Sequence, residues 1–88
     1  MTPAEAQALA DVRGYASAGR IALAEPHVPM RMRERGVRFE DLRCALTGAT
    51  DCHAEPKDRW RVEGRDSDGD DLTAVVVLED GVLVVTLF

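Results

Sequence analysis

The segment 72–88, LTAVVVLEDGVLVVTLF, determines the fold class of this chain. Its first seven residues, 72–78, are apolar at nearly every position, which is typical of a central strand with both faces covered. Asp80-Gly81 is a strong hairpin signal, because both residue types tolerate the positive φ angles of a two-residue turn. The segment therefore predicts two antiparallel strands, of which the second runs from Val82 to Phe88.

A third strand precedes this hairpin. In Arg59–Glu63 the apolar residues Trp60 and Val62 alternate with charged residues, as in a strand with one buried face. The stretch 66–71, DSDGDD, is polar and contains a glycine, so it predicts a turn between this strand and the next. Over residues 49–88 we expect an antiparallel β-meander of three to four strands.

The first half of the chain carries helical signals. Thr2-Pro3-Ala4-Glu5 places a hydroxyl at the N-cap, proline at the first helical position and glutamate at the third, which satisfies the amides of a first turn. The stretch 25–29, EPHVP, opens a second helix that Gly36 ends. A third helix is expected from about Phe39 to Leu46.

These patterns predict one α+β domain over residues 1–88. Two or three N-terminal helices, within residues 1–48, would pack on the meander formed by residues 49–88. A chain of 88 residues leaves no room for a second core.

The composition is that of a folded soluble protein, with 45% hydrophobic and 31% charged residues. No stretch approaches the ~20 apolar residues of a membrane span, and we see no export signal at the start. Two cysteines are too few for a disulfide scaffold. We therefore expect a cytoplasmic protein with no membrane association, and not a multidomain enzyme or a disulfide-stapled secreted module.

Charge is unevenly distributed along the chain. The net charge is −5, which by itself disfavours nucleic-acid binding. Residues 27–43, however, carry five arginines against three acids, whereas 51–80 carry four basic residues against ten acids. The arginines could form a basic cleft on an acidic body, or simply a solvated helix face; the sequence leaves both open.

Two groups of residues partly match the patterns of metal-binding sites, but neither has the complete pattern. The acidic turn has the early spacing of a calcium-binding hand, but Asp71 stands where that loop requires glycine and Val77 where it requires glutamate. Cys44, Cys52 and His53 lack the second close pair of a structural zinc site. We predict no metal and no cofactor.

Histidine and arginine residues form the most interesting pattern. His27, Arg31 and Arg35 follow each other at four-residue steps and so share one side of the second helix. Histidine can transfer a proton near neutral pH, and arginine can stabilise a phosphate that gains negative charge. A second group, consisting of His53 just before the predicted sheet, Lys57 and Arg61, could complete such a site. The alternative is a half-buried histidine beside solvated arginines.

The stretch 27–37, HVPMRMRERGV, resembles the H-x3-R-M-x2-R-G-(I/V) signature of a small bacterial family of uncharacterised domains. That family is similar to the RelE-type and BrnT-type toxins, which are metal-independent ribonucleases of toxin–antitoxin pairs. Glu40-Asp41-Leu42, the strand Arg59–Gly64 and a final V-x-V-V-T strand fit the same layout. A weaker likeness, to the MqsR type of mRNA-cleaving toxin, rests on Ala18-Gly19-Arg20, 36–39 and the final hairpin. Together the resemblances cover nearly all of residues 12–88.

The resemblance implies a RelE-like fold and a toxin-like protein that binds or cleaves RNA without a metal. In such a protein we expect His27, Arg31 and His53 to be the catalytic residues. We expect Arg35, Lys57 and Arg61 to bind the substrate. The implied partners are RNA and an antitoxin-like protein.

Three departures leave open whether the chain is an endoribonuclease. Arg38 stands where serine or threonine is usual, His53-Ala54 stands where the MqsR type has lysine and tyrosine, and the chain is acidic whereas most such toxins are basic. A fold can persist after activity is lost. The alternative function is a non-catalytic interaction domain that works as a homodimer or with a protein partner. The apolar strand 72–78 favours it, because one helical layer cannot easily cover both faces of its sheet.

Overall fold

The computed structural model of the protein describes all 88 residues. Three helices span Pro3–Ser17 (α1), His27–Arg35 (α2) and Phe39–Thr47 (α3). Five strands span Ile21–Leu23 (β1), Asp51–Glu55 (β2), Arg59–Arg65 (β3), Asp71–Leu78 (β4) and Val82–Leu87 (β5). The predicted α+β class and the three helices are confirmed. None of these helices has the length and apolar character needed to cross a membrane.

The sheet is mixed, with the strand order β1-β5-β4-β3-β2. β2 to β5 form an antiparallel meander, whereas β1 pairs in parallel with β5 through Ile21 and Val82. The prediction of a purely antiparallel sheet of three to four strands was therefore wrong. The division into helices within residues 1–48 and a sheet within 49–88 was also wrong, because β1 lies between α1 and α2.

The unpredicted strand β1 has only three residues. Such a segment is too short to display an alternating pattern, and its pairing partner lies at the far end of the sequence. β2 has no clear sequence signal either, and His53 lies within this strand and not before the sheet as predicted. Cys52 is the only fully buried residue of β2, so the pattern there is weak.

All three helices pack on one face of the sheet. Their buried residues and the inward-facing strand residues form a single core, which includes Val12, Leu42, Leu46, Val62, Val76 and Val84. Val75 is only 6% exposed but does not belong to that core. Its register partners Arg61 and Thr86 lie on the opposite face, hereafter the outer face, which no helix covers.

The start of α1 confirms the predicted capping box. Thr2 Oγ1 accepts a hydrogen bond from the Glu5 amide at 3.1 Å, and Glu5 Oε1 accepts one from the Thr2 amide at 2.8 Å. The second carboxylate oxygen of Glu5 accepts a hydrogen bond from the amide of Ala54 at 2.9 Å. These backbone hydrogen bonds lower the pKa of Glu5 to about 2. One carboxylate thus caps α1 and joins it to the edge strand β2.

Asp41 gives α3 its start signal in place of a capping serine. Its carboxylate accepts hydrogen bonds from the Arg38 backbone amide at 2.9 Å and from the Ser67 hydroxyl. The Arg38 guanidinium lies beside the same carboxylate, 3.3 Å from Oδ2. These hydrogen bonds, of which the one from Ser67 has the largest effect, hold the pKa of the buried Asp41 carboxyl well below its usual range. Arg38 therefore stands at the N-cap position without supplying the cap.

The predicted hairpin between β4 and β5 is confirmed, with a three-residue loop instead of two. Leu78 pairs with Val82, so the loop consists of Glu79, Asp80 and Gly81. Asp80 and Gly81 both have positive φ angles, of 53° and 147°. A β-bulge shifts the register at Val75/Val76.

Candidate functional site

Helix α2 lies against the last residues of β5, beyond the point where the short β1 ends. The helix follows Pro26, and Gly36 ends it in the left-handed conformation with φ 66°, as the sequence predicts. Val28 and Met32 are buried in the core and fix the orientation of the helix. The opposite residues of α2 are free to face solvent.

A cleft of about 470 Å³ opens between α2 and the end of β5. Its polar lining comes mainly from α2, and exposed apolar side chains stand beside it. The residues that line it include His27, Met30, Arg31, Glu34, Thr86 and Phe88. A volume of this size lies within the range of small-molecule and nucleotide sites.

Arg31 connects the two walls of the cleft. Its Nε donates a hydrogen bond to the carbonyl oxygen of Leu87 at 3.3 Å. The terminal guanidinium nitrogens of Arg31 have no hydrogen bond or ion pair in the protein. The side chain is therefore anchored at one nitrogen and offers two more to a ligand.

The arginines of α2 are not neutralised by the acidic residues of this chain. The five ion pairs involve Arg20, Arg38, His53, Arg61 and Arg65. Arg33 and Arg35 are exposed and, like Arg31, take part in none of them. The only acid on this helix is Glu34. The structure thus places an unpaired cationic helix beside a cleft.

The second group of predicted site residues lies elsewhere. His53 and Arg61 are register partners on the outer face of β2 and β3. His53 Nε2 lies 3.1 Å from Glu63 Oε2, and an Arg61 guanidinium nitrogen lies 3.5 Å from Glu55 Oε2. Lys57 is exposed in the turn between these strands, with φ 66°. The two histidine-containing groups are thus held by different regions of the sheet.

The expected convergence of all six residues is not observed. β5 and β2 are three strands apart in the sheet order, which corresponds to about 14 Å at the usual strand spacing. The structure brings His27 and Arg31 together in the cleft, with Arg35 on the next turn of the helix. It does not bring His53, Lys57 or Arg61 to them.

Sequence reasoning missed several residues of the cleft. Glu34 could have been found, because positions 27, 31 and 34 fall within one narrow sector of a helix at 100° per residue. Thr86 and Phe88 gave no such signal. Their place beside α2 depends on the packing of β5 against a helix from the other half of the chain.

The acidic turn behaves as a structural turn. Asp66 Oδ1 accepts hydrogen bonds from the amides of Asp68 and Asp70, both at 2.9 Å. Carboxylate oxygens of Asp41, Asp66 and Asp68 lie within 4.8 Å of one another, but those of Asp41 already accept hydrogen bonds from Arg38 and Ser67. These internal bonds account for the cluster.

The two cysteines occupy different environments. Cys44 is exposed on α3, whereas Cys52 is buried in the core. Burial raises the pKa of the Cys52 thiol to about 11, so this thiol stays protonated at neutral pH. Neither cysteine belongs to a cluster with His53, and only Cys52 packs in the core.

The chain matches no protein-family model, and comparison with curated proteins and with solved structures gives no match.

Proposed function

We propose that this protein is a toxin-like RNA-binding protein that contacts the phosphate backbone through the arginines of α2. The observation that carries the proposal is the joint presence of His27 and of the unpaired Arg31 guanidinium in one open cleft. Phosphate contacts by arginine supply much of the affinity for nucleic acids. The RelE-like resemblance of the segment 27–37 favours the same ligand class.

Metal-independent RNA cleavage in this cleft would use His27 and Glu34. The two positions are seven residues apart, about 10 Å along the helix axis, with Arg31 between them. A carboxylate at Glu34 would take the proton from the ribose 2′-hydroxyl, whose oxygen then attacks phosphorus. The bond from phosphorus to the 5′-oxygen breaks, and protonated His27 donates a proton to that oxygen. Arg31 would stabilise the additional negative charge on the phosphate.

Binding of a fluorescently labelled RNA oligonucleotide tests the proposal. We expect Arg35→Ala to weaken binding by roughly 5- to 10-fold at low salt, because it removes one phosphate contact. Arg35 makes no contact with another residue by hydrogen bond or ion pair, so its loss should leave the fold intact. Arg31→Ala should weaken binding at least as much. Because this substitution also removes the hydrogen bond to Leu87, the melting temperature of the variant is measured alongside its affinity.

Arg65→Ala is the matched control. Arg65 is an exposed arginine at the end of β3, two strands away from β5 and outside the cleft, 3.8 Å from Asp71, and its removal should change affinity little. The logarithm of the binding constant should fall with the logarithm of salt, with a slope that decreases by about 0.7 for each contact removed. Equal effects of Arg35→Ala and Arg65→Ala would contradict a specific site on α2.

A second candidate function is suggested by the outer face. No helix covers it, and Val77 and Leu83, which are register partners there, remain partly exposed. The same face carries both charge signs, in the ion pair of Arg61 with Glu55, and His53 lies beside Glu63 there. A surface with an apolar strip and both signs of charge can complement a second copy of itself about a two-fold axis. A homodimer through this face is the corresponding proposal.

A further inference from the structure

Phe88 and Met30 contribute exposed apolar side chains to the lining of the cleft. Phe88 is 50% exposed and Met30 is 47% exposed, so the core buries only part of each side chain. Phe39 is similarly exposed, at 45%, but does not line the cleft. The cleft therefore combines an aromatic ring, a thioether, an imidazole and an unpaired guanidinium.

We infer that Phe88 is a stacking platform for an unpaired base, so that the ligand of the cleft is single-stranded RNA. The inference rests on the proposed function and specifies its substrate class. A nucleotide has an anionic phosphate and a flat base, and the cleft offers Arg31 to the first and Phe88 to the second. Stacking of bases on exposed aromatic side chains is a general mode of single-strand binding.

The base must be unpaired for a geometric reason. In a duplex, both faces of each internal base are covered by its neighbours, so no face remains free for Phe88. A single strand can turn one base into a cleft while its phosphates stay on the α2 arginines. Glu34 in the same cleft is a hydrogen-bond acceptor and can accept a hydrogen bond from the ribose 2′-hydroxyl of the bound nucleotide.

Binding of an RNA oligonucleotide that contains 2-aminopurine, alone and annealed to its complement, tests the inference. We expect the single strand to bind more tightly than the duplex and its fluorescence to be quenched on binding. Phe88→Ala should weaken single-strand binding by about 5- to 100-fold and abolish the quenching. Phe88→Trp should retain both, since it keeps an aromatic surface.

Phe39→Ala is the control, because it removes an equally exposed phenylalanine outside the cleft. It should bind like the wild-type protein. Wild-type affinity in Phe88→Ala, or equal affinity for single strand and duplex, would overturn the stacking inference while leaving the proposed RNA binding intact. If the wild-type protein binds neither RNA, the proposed function fails and the inference fails with it.

Discussion

Gly64 determines how closely α3 can lie on the sheet. It is buried in β3, and a Cβ atom there would meet the carbonyl oxygen of Ala45 and come within 2.9 Å of its carbonyl carbon. These are backbone atoms of a packed helix and cannot move aside as a flexible side chain can. Only glycine permits this contact between the two layers.

We therefore expect Gly64→Ala to lower the free energy of unfolding by about 3 kcal/mol, because α3 must move away from the sheet. The melting temperature should fall by roughly 12 to 24 °C. Gly14→Ala is the matched control: nothing lies within 4 Å of its Cβ position, and it is in the interior of α1. That substitution should stabilise the protein by about 1 kcal/mol. Similar melting temperatures for the two variants would contradict the tight packing at Gly64.

The candidate site could be predicted at the residue level only where it is local. His27 and Arg31 lie on one helix, so their spacing in sequence fixes their relation in space. His53 and Arg61 were also expected in the site, but their direction depends on the pairing of β2 with β3. That pairing turns them to the outer face, where the carboxylates of this chain pair with them.

At the scale of elements, one acidic side chain holds the edge of the sheet. β2 is an edge strand, and Glu5 accepts a hydrogen bond from its Ala54 amide. An edge amide without such a partner would be open to pairing with other chains. Because the pKa of Glu5 is lowered to about 2, its stabilising effect is complete above its ordinary value of 4.5 and is lost as the pH falls through about 2.

Replacement of Glu5 by alanine should loosen this edge. The Ala54 amide should exchange with solvent at least about ten times faster, because it loses a hydrogen bond to a charged acceptor. Hydrogen exchange followed by NMR checks this. Gln7→Ala is the control, since Gln7 bonds only to Asp11 within α1. Unchanged exchange at Ala54 in Glu5→Ala would show that another contact protects the strand.

The elements that the sequence predicted are those whose signals are local. The capping box of α1, the glycine stop of α2 and the Asp80-Gly81 hairpin depend on a few neighbouring residues. β1 forms a strand because its residues pair with the edge of β5. Its own three residues contain no sequence pattern that indicates this pairing. The parallel pairing it adds makes the sheet mixed.

At the scale of the whole molecule, charge is separated by the fold. Ten of the sixteen acidic residues lie in the segment 51–80, and two of the four lysine and arginine residues there, Arg61 and Arg65, are ion-paired. The unpaired arginines of α2 lie at the β5 side of the helical layer. An anionic ligand is therefore repelled by one region of the surface and attracted to another, so that a net charge of −5 is compatible with RNA binding at α2.

The central claim, that RNA occupies the cleft between α2 and β5, is tested most directly by a ¹⁵N NMR titration with a single-stranded RNA oligonucleotide. The amides of α2 and of residues 85–88 should shift on addition of RNA, while those of β2 and β3 should remain in place. Shifts confined to β2 and β3, or no shifts with RNA, would contradict the claim. In the latter case, shifts of Val77 and Leu83 that depend on protein concentration would favour the homodimer through the outer face.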